Sequence, residues 1–244
     1  MSERRELVWL FDLDNTLHNA SHEIFPAINR NMNALITRVL ASQDLPSDAD
    51  AVNEVRVHYW QRYGATLLGM IRHHGVRADD FLHEAHQFDD LAQMIRAERG
   101  IAKLLRRLPG KKILLTNAPR AYAHDVVRHL GLHRHFAEHV PIESMRVHRQ
   151  WRPKPSKLML RRLLRQRGLS PSRCVLVEDT LANLKSAKAL RMRTVWITRY
   201  LGDRPRPART TPIPHAQMPR AGWVDVKVKS LASVPNHLRR LGVR

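Results

Sequence analysis

Acidic, hydroxyl and amide side chains follow three short apolar runs in this sequence. The runs are residues 7–11, followed by DLDNT at 12–16; residues 111–116, followed by Asn117; and residues 174–177, followed by Glu178 and Asp179. Four carboxylates that converged without a cation would repel one another strongly and shift their pKa values. Mg²⁺, which prefers oxygen ligands in an octahedral arrangement, would relieve that repulsion. The polar residues that follow the three runs therefore predict a divalent-metal site, provided that the runs end close together in the fold.

One lysine is placed to meet a negatively charged substrate beside such a metal. Lys154 lies between two prolines in RPKP, residues 152–155, and the rings restrict the backbone and aim the amine. Thr116 and Asn117 add neutral hydrogen-bond donors. Acids with Mg²⁺, one fixed cation and neutral donors suit phosphoryl transfer, because that chemistry depends mostly on positioning and charge stabilisation.

The apolar runs are too short for helices and are typical of strands covered on both faces, as in a parallel sheet. A fourth run of this kind is residues 194–197. Helical patterns lie between the runs, at 120–130, 156–167 and 181–190. This alternation predicts an α/β fold with an open, parallel, Rossmann-like sheet. In such sheets ligands bind beyond the carboxyl ends of the strands. The polar residues that follow each apolar run lie at these ends.

Residues 21–96 break the alternation, because they contain no strand pattern. They carry three long helical patterns, at 24–40, 51–74 and 79–92. We therefore expect an all-helical domain inserted into the α/β core. The core would comprise residues 1–20, 97–202 and 222–244, with a last strand at 223–228 and a closing helix at 231–241. Residues 203–221 hold five of the 14 prolines and four arginines, a composition that predicts a loop or linker.

The net charge of the chain favours an anionic partner but does not indicate which kind. Forty-two Lys and Arg against 22 Asp and Glu leave a formal charge of +20, which attracts phosphate esters, nucleic acid or acidic lipid. A solvated, arginine-rich surface is the alternative explanation. The single cysteine, Cys174, excludes a disulfide framework. No apolar run approaches the roughly 20 residues that span a bilayer, and the start of the sequence shows no secretory signal, so we predict a cytoplasmic protein with no membrane partner.

Four ordered segments resemble the motifs of the haloacid dehalogenase (HAD) superfamily. They are FDLDNTL at 11–17, LLTN at 114–117, RPKP at 152–155 and VEDTLANL at 177–184. The helical insert stands where members of this superfamily place a small, all-helical cap of the C1 type. The resemblance implies an open α/β core with such a cap, and hydrolysis of a phosphate monoester.

The resemblance also implies roles for individual residues. Asp12 would be the nucleophile that forms an aspartyl-phosphate, and Asp14 would protonate the leaving group and then deprotonate water. Thr116 and Lys154 would bind the transferring phosphoryl group, and Thr16 would help to hold Asp14. The implied Mg²⁺ ligands are Asp12, the carbonyl of Asp14, Asp179 and Glu178, the last either directly or through water. Superfamily members that displace halide lack an acid at the position of Asp14, so its presence favours phosphate esters.

Two shorter segments resemble one group within the superfamily and indicate a class of substrate. The stretch from Tyr63-Gly64 to Met70, and Thr-Asn-Ala at 116–118, are similar to the pyrimidine 5'-nucleotidases, which implies a pyrimidine 5'-nucleotide as substrate. The predicted substrate-binding residues are Thr16, Asn117, Arg120 and Tyr63. Tyr63 and Trp60 would either stack on a base or pack into the core, and Arg120 would face either substrate or solvent. His18 departs from the tyrosine that this group often has after DNTL.

Two other functions fit the same residues. A sugar-phosphate phosphatase or phosphomutase would share the chemistry and differ only in substrate. A nucleic-acid-binding protein would use the basic surface and keep the core as a scaffold, although the intact set of acids counts against it. A calcium loop at 12–23 is excluded, because Leu17 occupies the sixth position, where that loop needs glycine.

Overall fold

The computed structural model describes residues 6–203 and 220–243 of the chain. These residues form two compact units. The helical unit is Glu23–Met94, and the core unit contains the described residues on either side of it. We predicted the insert at 21–96; the helical unit begins at Glu23 and ends at Met94.

The described residues contain eight strands and nine α-helices. The strands are β1 Val8–Phe11, β2 Lys111–Leu115, β3 Glu138–Val140, β4 Arg146–Val147, β5 Gln150–Trp151, β6 Cys174–Glu178, β7 Arg193–Ile197 and β8 Val226–Val228. The helices are α1 Ile24–Ala41, α2 Ala49–Tyr63, α3 Thr66–His74, α4 Ala78–Ala85, α5 Leu91–Met94, α6 Ile101–Arg107, α7 Arg120–His129, α8 Lys157–Gln166 and α9 Leu181–Ala189. Within these ranges no helix is long and apolar enough to cross a bilayer.

The core unit is built on a six-stranded sheet in the order β3-β2-β1-β6-β7-β8. Every neighbouring pair in it is parallel, so the predicted open parallel α/β sheet is confirmed. The two central strands, β1 and β6, are buried along their whole length, which explains the continuous apolar sequences at 8–11 and 174–177. β4 and β5 form a separate antiparallel pair.

Helix α8 packs one apolar face into a buried cluster that also contains residues of β1, β2, β6 and β7. In α8 the buried residues are Met159, Leu160, Leu163 and Leu164, a spacing that repeats once per helical turn. Ser156 caps the helix, because its hydroxyl accepts a hydrogen bond from the backbone N–H of Met159 at 3.2 Å. Sequence pattern and cap therefore agree on where α8 begins.

Two of the helical patterns in the inserted segment are shorter in the structure than predicted. The pattern at 51–74 is divided between α2 and α3, because Gly64 adopts a left-handed conformation with φ 82° and ends α2. The pattern at 79–92 is divided between α4, which ends at Ala85, and the short α5. Apolar residues recur at helical spacing on both sides of each break. The sequence pattern alone therefore predicted one long helix where the structure has two.

The carboxyl-terminal part of the core also differs from the prediction. The closing helix expected at 231–241 is wrong: residues 231–237 and 239–241 form two 3₁₀ helices, and Pro235, which has no backbone N–H, lies within the first. The last strand is Val226–Val228 and does not include Trp223. Most of the proline-rich segment at 203–221 lies outside the described residues. The sequence patterns missed β3, α6 and the β4–β5 pair.

One glycine in the core unit sits against the backbone where β1 begins. Gly110 has φ +81°, and a Cβ built there would lie 2.2 Å from the carbonyl oxygen of Leu7. That same oxygen accepts a hydrogen bond from the N–H of Lys111. Gly131 has a similar φ of +67°, but a Cβ at that position would meet no atom within 4 Å.

We expect Gly110→Ala to destabilise the protein more than Gly131→Ala. Both substitutions place a side chain at positive φ, which costs about 1 kcal/mol, but only the first also forces the Leu7 carbonyl to move, which adds about 1–3 kcal/mol. Denaturant unfolding of both variants measures the difference. Equal free energies of unfolding would contradict the close approach at Leu7.

Candidate active site

The strand ends bring the predicted polar residues to one edge of the sheet. Phe11 pairs with Val177 of β6 on one side and with Leu114 of β2 on the other. The N–H of Asp12 continues the first ladder, since it donates to the carbonyl of Val177 at 3.0 Å. Asp12 therefore leaves β1 between the ends of β2 and β6, where Thr116 and Glu178 stand.

Three carboxylates meet at this edge. One oxygen from each of Asp12, Glu178 and Asp179 lies within 4.8 Å of the others, and all three residues are buried. An all-oxygen set of this kind matches the ligand preference of Mg²⁺. These residues fit a divalent cation on the chemistry of their donors.

Lys154 forms ion pairs with two of these acids. Its ammonium donates to Oδ1 of Asp12 at 2.6 Å and to Oε2 of Glu178 at 2.8 Å, and its side chain is only 3% exposed. Burial by itself would lower the pKa of Lys154, but the charges of Asp12 and Glu178 raise it above its ordinary value. The lysine is therefore fully charged inside the site.

The two carboxylates that share Lys154 have different pKa values. Burial and the neighbouring charge of Glu178 raise the pKa of Asp12 to about 7, although Lys154 opposes the shift. Burial also acts on Glu178, but there the charge of Lys154 and several hydrogen bonds outweigh it and lower the pKa. Glu178 thus remains an anion that pairs with the lysine. Burial and the repulsion from Glu178 favour the protonated form of Asp12.

Asn117 holds the backbone that carries Lys154. Its amide nitrogen donates to the Lys154 carbonyl at 3.0 Å, and its amide oxygen accepts from the Lys154 N–H at 2.9 Å. We predicted Asn117 as a substrate ligand; in the structure its two polar side-chain atoms contact the backbone of Lys154. Thr116, at the end of β2, accepts a hydrogen bond from the N–H of Ala118 at 3.0 Å.

The loop after β6 is organised around Glu178. Its Oε1 accepts from the N–H groups of Asp179 at 3.2 Å and Thr180 at 3.1 Å, and Asn183 adds a side-chain hydrogen bond. The indole of Trp196 donates to the carbonyl of Asp179 at 3.0 Å. Sequence reasoning missed this role of Trp196, because a tryptophan inside an apolar strand indicates only core packing.

The loop after β1 is tied together by one buried asparagine. Asn15 has φ +59°, a left-handed conformation that asparagine tolerates better than most residues. Its amide oxygen accepts from the N–H groups of Ala20 and Ser21, each at 3.1 Å, and its amide nitrogen donates to the Ser21 hydroxyl at 2.9 Å. These bonds fix the path of the chain from Asp12 to Ser21.

Thr16 and Asp14 occupy separate places in this loop. The Thr16 hydroxyl donates to Oδ2 of Asp12 at 3.2 Å, whereas we predicted that it would help to hold Asp14. Asp14 is held instead by His18, whose Nε2 lies 2.9 Å from Asp14 Oδ1, and by Tyr122, whose hydroxyl donates to the same oxygen at 2.6 Å. Neither residue was identified as a site residue from the sequence. The Asp14 side chain is 15% exposed, more than its neighbours in the site.

Two predicted substrate ligands, Arg120 and Tyr63, make other contacts in the structure, each within its own unit. The Arg120 side chain is exposed, and its backbone N–H donates to the carboxylate of Glu143. Tyr63 belongs to the helical unit, where its hydroxyl lies 2.7 Å from Nε2 of His73. Trp60 is 61% exposed, which excludes the packed-core alternative for this side chain.

Comparison with known proteins places this site in a family. The family model of the haloacid dehalogenase-like hydrolases matches residues 8–191, a range that includes all four motif segments. The chain belongs to the haloacid dehalogenase-like hydrolase family. The resemblance that we drew from those segments is confirmed at this level.

Solved structures of the same superfamily share the fold at low sequence identity. A HAD phosphatase from Thermococcus onnurineus has 16% identity and a TM-score of 0.61, with 95% of this chain and 97% of that chain covered. A 2-haloacid dehalogenase from Pseudomonas syringae has 20% identity and a TM-score of 0.53, with 96% and 99% covered. An L-2-haloacid dehalogenase from Xanthobacter autotrophicus has 15% identity and a TM-score of 0.53, with 96% and 98% covered. Since both phosphatases and dehalogenases are similar to this chain, the HAD fold alone does not decide between the two reactions.

Removing the shared lysine of this HAD hydrolase should be costly for folding. We expect Lys154→Met to lower the free energy of unfolding by about 3–5 kcal/mol in the presence of a chelator, because it leaves buried carboxylates without their counter-charge. Chemical denaturation followed by circular dichroism measures the loss.

Lys188→Met is the matched control for that experiment. Lys188 pairs with Asp225, but its side chain is 35% exposed, and partly exposed pairs contribute about 0–1 kcal/mol. If the two variants lost the same stability, the burial of the Lys154 charge would not be the cause.

Proposed function

We propose that this protein is a cytoplasmic, Mg²⁺-dependent phosphatase that hydrolyses small phosphomonoesters through an aspartyl-phosphate on Asp12. The observation that carries the proposal is the carboxyl of Asp14, which is partly exposed and is held by two hydrogen-bond partners. A halide leaves without a proton, so a dehalogenase has no use for an acid at this point. An alcohol that leaves from a phosphate ester does need a proton. The presence of Asp14 therefore favours ester hydrolysis over dehalogenation.

In the first half of the proposed reaction, a carboxylate oxygen of Asp12 attacks phosphorus and the ester oxygen leaves. Asp14 gives its proton to that oxygen, so the alcohol departs neutral. Lys154 is bonded to Asp12 and Glu178, and its charge is placed to stabilise the negative oxygens of the transferring group. Thr116 adds a hydroxyl at the end of β2.

In the second half, Asp14 takes a proton from water and the resulting hydroxide attacks the phosphorus of the aspartyl-phosphate. The bond to Asp12 breaks, and phosphate is released. The same carboxyl thus serves as acid and then as base, which restores the starting state of the enzyme.

The cation would be held by Asp12, Asp179 and the carbonyl of Asp14. When bound, Mg²⁺ supplies positive charge to the phosphoryl oxygens and offsets the repulsion among the carboxylates. Glu178 already uses Oε1 for two backbone N–H groups and Oε2 for Lys154. These contacts support a water-mediated role for Glu178 rather than direct ligation.

We propose a pyrimidine 5'-nucleotide as the substrate, on the similarity of residues 63–70 and 116–118 to the pyrimidine 5'-nucleotidases. The aromatic and cationic character of this part of the helical unit supports the choice: the guanidinium groups of Arg62 and Arg72 lie 5.7 and 5.9 Å from the centre of the Tyr63 ring. A ring flanked by two cations suits an anionic ligand that carries an aromatic base.

Asp12→Asn should abolish hydrolysis of phosphate esters, because an amide cannot act as the nucleophile, and activity should fall by at least about 10³-fold. The fold should remain, since the amide is nearly the same size as the carboxylate. Phosphate release measures the rate, and circular dichroism checks the fold. Asp125→Asn, at an exposed position, is the control and should retain wild-type activity. Hydrolysis by Asp12→Asn at the wild-type rate would exclude Asp12 as the nucleophile.

A substrate panel with and without Mg²⁺ should show phosphate release that stops when EDTA is added and resumes with excess Mg²⁺. CMP and UMP should be cleaved with higher kcat/KM than hexose phosphates or phosphoglycolate. Equal indifference to both nucleotides would reject the nucleotidase assignment and favour the sugar-phosphate alternative. Steeply salt-dependent RNA binding without any hydrolysis would instead favour a nucleic-acid-binding protein.

A further inference from the structure

We propose that His18 and Tyr122 are positioning residues for proton transfer by Asp14. Together they bind Oδ1 of the carboxyl, so that the other oxygen, Oδ2, carries the proton that is exchanged with the leaving group and with water. This inference rests on the proposed function, in which Asp14 is the acid and base.

The two side chains come from separate parts of the core unit and meet at one oxygen. His18 stands four residues after Asp14 in the loop that follows β1, and Tyr122 lies in the first turn of α7. Nε2 of His18 is 2.9 Å from Asp14 Oδ1, and the Tyr122 hydroxyl is 2.6 Å from the same atom. The hydroxyl and Nε2 are themselves 3.4 Å apart. Two polar groups, the imidazole of His18 and the hydroxyl of Tyr122, therefore meet at a single carboxyl oxygen.

Both partners act as donors to that oxygen. The Nε2 of His18 faces a carboxylate, which only accepts hydrogen bonds, so the proton of the ring is on Nε2. The other ring nitrogen, Nδ1, is buried and has no hydrogen-bond partner among the described residues, so the ring makes its hydrogen bonds through Nε2. The Tyr122 hydroxyl is buried, and its short contact with Asp14 gives its proton the same direction.

Two donors on one oxygen have a mechanistic consequence. A proton placed on Oδ1 would point at the protons of His18 and Tyr122, so the protonated form of Asp14 carries its proton on Oδ2. The donors also fix the orientation of the carboxyl, whose terminal torsion is otherwise broad. Because proton transfer needs the acid within hydrogen-bond reach of the reacting oxygen, a carboxyl free to turn would transfer its proton less often.

The test compares two esters that differ in how much they need an acid. Dinitrophenyl phosphate loses a weakly basic phenolate that needs no proton, whereas an alkyl phosphate such as CMP loses a basic oxygen that does. The measured quantity is kcat/KM, because it reports the steps up to formation of the aspartyl-phosphate and leaves the later attack of water aside. For Tyr122→Phe and His18→Leu we expect about a 10–100-fold loss of kcat/KM on the alkyl ester and less than about a threefold loss on the dinitrophenyl ester.

A rescue variant separates the hydrogen bond from the packing of the ring. In His18→Gln, the side-chain amide places an N–H near the position of Nε2, so this variant should recover most of the alkyl-ester activity that His18→Leu loses. Tyr200→Phe is the matched control, because Tyr200 is another buried tyrosine of the core unit, with Glu98 and Arg199 as its neighbours. It should leave both rates unchanged.

The outcomes separate this inference from the proposed function. Equal losses on both esters, or a glutamine variant no better than the leucine variant, would reject the positioning role while leaving the phosphatase intact. A wild-type protein that hydrolysed neither ester would reject the proposed function, and this inference with it. Tyr122→Phe removes only one oxygen atom, so its result remains interpretable even where the leucine variant folds poorly.

Discussion

The ion pairs of Lys154 with Asp12 and Glu178 are the constraint around which the core is arranged. They join residues separated by 142 and 24 positions in the sequence, and all three side chains are buried. A buried charge without a partner is far less stable than a buried pair. Bringing the ends of β1 and β6 and the lysine loop together therefore stabilises the folded core and at the same time assembles the candidate site.

Three asparagines hold the loops that these charges occupy. Asn15 binds the backbone of the loop after β1, Asn117 binds both backbone polar groups of Lys154, and Asn183 supports Glu178. An amide offers a donor and an acceptor without adding charge, so it satisfies loop backbone beside a cluster that is already too negative. The uncharged amides thus set the geometry, and the charged groups remain available for chemistry.

Sequence patterns predicted the parts of the protein whose neighbours are close or whose environment is uniform. The buried strands β1, β2, β6 and β7 appear as continuous apolar runs, and the order of the polar residues that follow the runs indicated the edge where they meet. The sequence did not predict β3, because Glu138 and His139 interrupt its apolar pattern. It did not predict the end of α2 at Gly64, because helical periodicity resumes after that residue. The contacts of His18 and Tyr122 with Asp14 could not be predicted, since 104 residues separate the two rings and a tyrosine on a helix face ordinarily indicates packing.

The balance of charge explains why a site so rich in acid occurs in a chain with a formal charge of +20. Surface arginines and lysines act through water and salt, where their influence falls off over about 8 Å, so they compensate buried carboxylates poorly. Inside the site, Lys154 faces Asp12 and Glu178, with Asp179 beside them. Burial, and after it the negative charge of Glu178, raises the pKa of Asp12 to about 7. A divalent cation at this point would bring the summed charge of the three carboxylates and Lys154 to zero, so an anionic phosphate would no longer face net negative charge. The same imbalance that makes the cluster of acids unfavourable by itself is therefore what suits it to binding a metal and a phosphate ester together.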